Sequence, residues 1–155
     1  MIKQIATGLA AVAATSALAI AVPTAANAST ADWDSWGPVY SQNYKAKAEG
    51  RVEVRWDHDE ESNTVSVRGR LWDLDHRTAE ERGKCAYVKF QAADFDDDWS
   101  TVWTQKYCGY PDYAPIRFRT HDVSSLRVKV CQIHEHGGFV RRCGHWEEIY
   151  TADAE

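Results

Sequence analysis

The chain has 155 residues, 18 of them basic and 23 acidic, for a formal charge of −5 with histidines neutral. That balance argues against a general nucleic-acid binder, because attraction to phosphate depends on a surplus of Lys and Arg in the contact surface. The length admits one domain with a real core and excludes two ordinary ones.

Lys3 precedes an uncharged Ala-, Leu-, Ile- and Val-rich run from Ile5 to Val22, which Pro23 then breaks. Ala26-Asn27-Ala28 follows with small residues at alternate positions, so residues 1–28 read as a cleavable secretory signal peptide and residues 29–155 as one exported domain. With no twin arginine before the run and no cysteine at the cleavage point, a free protein exported by the general route is expected, with no membrane attachment after cleavage. Losing Lys3 takes the formal charge from −5 to −6. In an extracellular setting disulfides persist, and all four cysteines lie in the exported part.

Ser29 to Gly37 is small and polar apart from Trp33 and Trp36, and reads as a loose arm pinned by aromatic contacts. Arg51 to Trp56 alternates, with Val52, Val54 and Trp56 on one side, and predicts a half-buried strand. After a polar connection, Val65, Val67, Gly69 and Leu71 alternate with Ser66, Arg68, Arg70 and Trp72, which completes a β-hairpin. Its arginine-bearing side has the pattern of a solvated antiparallel face. Asp73 to Lys84 reads as a long exposed loop with a helical turn at 78–81.

Cys85 to Ala92 and Ser100 to Cys108 are strand-like and flank an acidic tip. A hairpin centred between residues 96 and 97 sets Cys85 opposite Cys108. Ile116 and Phe118, then Leu126, Val128 and Val130, mark two more strands with one wet face. Gly137-Gly138 is a turn signal, and a hairpin centred there brings Cys131 and Cys143 nearly opposite. The expected fold is therefore all-β: an antiparallel β-sandwich, immunoglobulin-like or jelly-roll, with two intra-hairpin disulfides, a small β-barrel being the alternative.

Three groups invite a chemical reading. Asp94, Asp96 and Asp98 alternate at a loop tip and offer hard oxygens suited to Ca²⁺, although an EF-hand would place Gly and Glu where Trp99 and Gln105 stand. His134 and His136 share a face if their strand persists to Gly137, and with His145 returning opposite them they could bind Zn²⁺. Among the aromatic residues, Trp72, Tyr107, Tyr110 and Tyr113 are the candidates for ligand stacking. Beyond those two metal possibilities no cofactor is expected. Carboxylates are plentiful in Asp73, Asp75, Glu80 and Glu81 and again in Glu147 and Glu148, yet no spacing pairs any two for acid/base work. Gly-x-Ser-x-Gly, phosphate loops and His-Glu-x-x-His are missing from the sequence.

The Ala-rich leader, the compact acidic domain and the segments Leu71-Trp72-Asp73-Leu74-Asp75 and Lys84-Cys85-Ala86-Tyr87-Val88 resemble small secreted actinomycete proteins of unknown function. That resemblance implies neither an activity nor a site. The expected function is a secreted, non-enzymatic binding domain for an extracellular protein or glycan, with no nucleic-acid partner. The alternatives are a small hydrolase, metal-dependent through the histidines, and an inhibitor of another secreted enzyme.

Overall fold

The computed structural model describes residues 32–78 and 80–152. The expected signal peptide of residues 1–28 and its expected cleavage point lie outside the described residues. Eight strands follow one another: β1 (Asp34–Tyr40), β2 (Ala46–Trp56), β3 (Asn63–Asp73), β4 (Cys85–Ala93), β5 (Trp99–Tyr107), β6 (Tyr113–His121), β7 (Ser125–Ile133) and β8 (Glu147–Thr151). No helix of the described residues is long and apolar enough to cross a membrane.

The strands form two four-stranded sheets with orders β1-β2-β3-β6 and β5-β4-β7-β8, every pairing antiparallel. Reading β2 to β8 as strands A, B, C, C′, E, F and G gives sheets A-B-E and C′-C-F-G. This is an immunoglobulin-like sandwich with β1 added beside A and no strand D among the described residues. β5 does not pair with β6, nor β1 with β8, so the sheets remain separate and the expected alternatives of a barrel and a jelly roll are both set aside.

Period-two alternation explains the core. Ala48, Val52, Val65, Val67, Leu71 and Ile116 face inward from the first sheet, and Val88, Phe90, Leu126, Val128 and Val130 from the second, each at most 2% exposed. Trp36 enters between them from the edge strand β1. It stands in register with Gly50, which pairs with Gly69, and its ring lies 2.9 Å from where a Cβ on either glycine would sit. The two glycines thus open a slot through which Trp36 meets Phe90 edge to face, with centroids 5.6 Å apart. The expected loose arm is therefore half wrong: from Asp34 onward it is a paired strand, bulged between Trp36 and Val39.

Other expectations change in detail. β2 begins at Ala46, five residues before the predicted strand, and its last residue Trp56 turns outward at 42% exposed, while the supposedly wet Glu53 is 4% exposed. The loop after β3 is anchored and not simply exposed, because Asp73 and Asp75 are buried. Its predicted turn is present, with the Glu81 N–H donating to the Thr78 carbonyl and the Thr78 N–H to the Glu81 carboxylate. Both disulfides form as expected, Cys85 of β4 with Cys108 just after β5, and Cys131 of β7 with Cys143 in the segment before β8. The hairpin between β7 and β8 is looser than predicted: β7 stops at Ile133, and the segment before β8 is held by the bridge between Gln132 and Arg141, by the Gly144 N–H on the Val130 carbonyl and by the Gln42 N–H on the Arg142 carbonyl.

Candidate binding face

The outer face of β2, β3 and β6 can be read off the register row by row. Arg51 pairs with Arg68 and Arg68 with Arg117, so three guanidinium groups start from directly opposed positions on three adjacent strands. The row on one side holds Glu49, Arg70 and Pro115, and the row on the other holds Glu53, Ser66 and Arg119. Like charges directly opposite one another on a sheet weaken it. This face therefore keeps an arrangement that folding alone disfavours.

Two of the face's cations are neutralised. Arg55 donates from Nε and Nη2 to Glu53 at 3.0 and 2.7 Å, and Lys47 pairs with Glu49 at 3.1 Å. Arg51, Arg68, Arg70, Arg117 and Arg119 have neither an ion pair nor a side-chain hydrogen bond among the described residues. Two of them are nevertheless held in place. The Arg68 guanidinium lies 4.8 Å from the Trp33 ring centroid and that of Arg70 4.8 Å from Tyr113. Stacking of this kind fixes the plane of the group while leaving its N–H fork open to a ligand. Trp33, Arg51, Arg68, Arg70, Tyr113 and Arg117 line one shallow groove of about 680 Å³. Glu49, already paired with Lys47, is the acidic residue of its wall.

The second sheet's outer face also carries cations: Lys89 stands directly opposite Lys129 with neither an ion pair nor a side-chain hydrogen bond of its own among the described residues, whereas Arg127 and Lys129 are tied into the fold. Arg127 lies between Trp99 and Trp146, 3.7 and 4.6 Å from their centroids, and donates Nε and Nη2 to the Gln91 carbonyl oxygen at 3.2 and 2.8 Å. Burial, with Lys89 and Arg127 beside it, pushes the Lys129 ammonium below its ordinary value, and Lys129 sits 4.2 Å from Trp146.

Asp75 is the opposite of the free arginines. Its side chain is fully buried, and it accepts from Lys45 Nζ at 3.1 Å, Arg77 Nε at 2.9 Å, Arg77 Nη2 at 2.7 Å and the Lys84 N–H at 3.1 Å. Gln132, itself buried and held by Asn43, adds a fifth, longer contact at 3.4 Å. Burial alone would raise this carboxyl, and the bonds from Arg77, Lys45 and Lys84 outweigh it and hold the group well below the usual carboxylate range. Asp73 runs the other way: burial raises it and the Asp75 charge adds to that. Its Oδ1 accepts the Asp75 N–H, so both carboxylates serve the β3–β4 connection.

The residues singled out from sequence scatter. Trp72 and Tyr113 do come together, rings 4.7 Å apart, at the edge of the arginine groove, with Lys47 lying 4.9 Å over Trp72. Tyr107 instead packs against the core, and burial raises its hydroxyl. Tyr110 is 52% exposed in the corner before β6, beside His76. Asp94 turns its carboxylate onto the N–H groups of Asp96 and Asp98, at 2.9 and 3.0 Å, and so caps its own turn. His134 and His136 fall after the end of β7 and His145 before β8, so the strand geometry meant to face them toward one another is not formed. Among the described residues no three His, Cys, Asp or Glu side chains are grouped to hold a metal.

Sequence reading saw the arginines of β3 but treated them as solvated. What it lacked was the place of β6 in the sheet: only the pairing of β3 with that strand, about fifty residues later, places Arg117 beside Arg68. Comparison with protein families, curated proteins and solved structures gives no match to this chain.

Proposed function

We propose that this protein is a non-enzymatic binding domain that works outside the cell and meets its ligand on the outer face of β1, β2, β3 and β6. The carrying observation is the row Arg51, Arg68 and Arg117, directly opposed across three strands with no acidic partner among the described residues. A ligand that brings anionic groups removes the repulsion which the folded protein leaves unrelieved. Two disulfides and an apolar N-terminal leader fit an exported setting. The carboxylates nearest to an acid/base pair, Asp73 and Asp75, are committed to structural bonds, which favours binding over hydrolysis.

The test is retention on immobilised acidic and neutral glycans, comparing the wild type with Arg51→Thr/Arg68→Thr/Arg117→Thr and assaying new reducing ends in the same tubes. Retention that disappears in the variant, with no product, is the expected result. A variant retained as well as the wild type would move the contact elsewhere, and product formation would make the protein a hydrolase.

One observation favours a second reading, an inhibitor of a secreted protease. Phe139 is 85% exposed after Gly137-Gly138, in a segment closed by the Cys131–Cys143 disulfide. A protease with a deep apolar specificity pocket would accept that side chain. Under this reading a chymotrypsin-like protease is inhibited at one-to-one stoichiometry, and Phe139→Gly abolishes the effect.

A further inference from the structure

We infer that the ligand of the arginine groove is a linear acidic polysaccharide, one bearing carboxylate or sulfate groups along its length; this rests on the reading of that face as the contact surface. The first ground is the number and spread of the unpaired cations. Arg51, Arg68 and Arg117 span three strands, and Arg70 and Arg119 flank them one row to either side. From strand spacing and rise, these five side chains originate within a patch of roughly 10 by 13 Å. One sulfate or carboxylate engages a guanidinium fork or two. Five forks call for several oxyanions carried by one molecule.

The shape of the groove is the second ground. The arginine row runs across the sheet from Arg51, beside the edge strand β1, to Arg117 on the opposite edge strand β6. At Arg117 the row reaches the sheet edge, and at Arg51 only Ser35 of the edge strand β1 separates it from the other edge, so an extended chain can enter at one edge and leave at the other.

The aromatic residues decide between polymers. The rings on this face, Trp33, Trp72 and Tyr113, each already carry a cation of the protein itself: Arg68, Lys47 and Arg70 respectively. Single-stranded nucleic acid is held by bases stacked on open aromatic faces, and that platform is occupied here. The acidic turns 57–61 and 94–98 lie at the end of the sandwich where β2 and β4 finish, and repel a broad polyphosphate duplex. A protein partner fits poorly for a different reason. The exposed large apolar residues, Trp56, Phe95, Trp99, Tyr110 and Phe139 among them, stand outside the groove, whereas protein interfaces are centred on apolar or aromatic anchors.

The experiment is calorimetric titration of the exported domain with five probes: dextran sulfate, polygalacturonate, uncharged dextran, oligo-dT and poly-glutamate. It is repeated with Arg51→Thr/Arg68→Thr/Arg117→Thr, whose fold is checked by near-ultraviolet circular dichroism, and with the milder Arg117→Thr/Arg119→Thr in case the triple variant fails that check. The expected result is binding to one or both acidic polysaccharides that weakens at least tenfold in the variants. Taking three neutralised charges, affinity should fall roughly 40-fold between about 50 and 200 mM salt. Binding to uncharged dextran that the variants lose would overturn the polysaccharide's acidity yet keep the face. Preference for oligo-dT or poly-glutamate, or binding to none of the probes, overturns the ligand class. Acidic-polysaccharide binding that the variants leave intact overturns both the ligand site and the face.

Discussion

Arg68, at the middle of β3, and Asp75, two residues past its end, are both charged side chains, and they are treated in opposite ways. Around Asp75 the fold gathers two cations, a backbone N–H and a buried glutamine, until both carboxylate oxygens are used. Around Arg68 it places two further arginines in direct register and an aromatic ring beneath. A buried charge has to be compensated inside the protein, because leaving it unpaired costs several kcal/mol. An exposed charge can be left open, and a row of like charges left open is kept against its own repulsion. If the arginine face is the contact surface proposed above, the completeness of a charge's partners separates residues that build this fold from residues that meet a ligand.

The largest expected effect comes from breaking the buried side of that contrast. Asp75→Ala strands Lys45, Arg77 and Gln132 around an empty centre and should cost about 3 kcal/mol or more, read from urea unfolding. A stability within 1 kcal/mol of the wild type would mean the cluster is decoration.

Next in size is the pH dependence, where Asp73 and Asp75 pull in opposite directions. The folded Asp75 carboxyl is depressed, so its contribution is complete above about pH 4, the unfolded value, and disappears as pH falls through the folded one. The folded Asp73 carboxyl is raised by burial, so its charge weakens the fold at neutral pH and acidification relieves it. Stability measured from about pH 3 to 7 should therefore rise less steeply in Asp75→Asn than in the wild type, and more steeply in Asp73→Asn. Identical slopes in all three proteins would remove both carboxylates from the acid response.

On the open side the effects shrink. Arg51→Thr/Arg68→Thr/Arg117→Thr should change stability by no more than about 1 kcal/mol, since relief of like-charge repulsion and a residue suited to strands offset the lost contact of Arg68 with Trp33. Calorimetric melting decides this, and a marked loss would give the row a structural role after all. Smallest is Trp33→Ala. Removing the ring under Arg68 should cost roughly 0.5–1 kcal/mol of stability while loosening the guanidinium, so that any anionic ligand binds less tightly than to the wild type but better than to the triple variant.

Much of the sandwich is legible in the sequence because alternation and turn chemistry are local. The acidic tip and Gly137-Gly138 locate two reversals closely enough to pair all four cysteines correctly. β1 is not legible: Gly37 and Pro38 interrupt it between its apolar residues, and Trp36 has a place only because Gly50 and Gly69, on two other strands, leave room for it. The same limit hides the arginine face. Alternation marks Arg68 and Arg117 as outward, but only the long-range pairing of β3 with β6 makes them neighbours. The histidine group failed locally: the strand expected to run on to Gly137 stops at Ile133, before the first histidine.

Each disulfide starts from a strand of the second sheet, Cys85 of β4 and Cys131 of β7, and each encloses an exposed tip: Asp94 to Asp98 within Cys85–Cys108, and Gly137 to Phe139 within Cys131–Cys143. Tips of this kind are where proteases cut. A single cut at either one leaves the two pieces covalently joined, so a nicked molecule migrates as intact until it is reduced. A cut in the turn at 57–62, which no bridge spans, releases β1 and β2 as a free fragment and takes half of the arginine-bearing sheet with it.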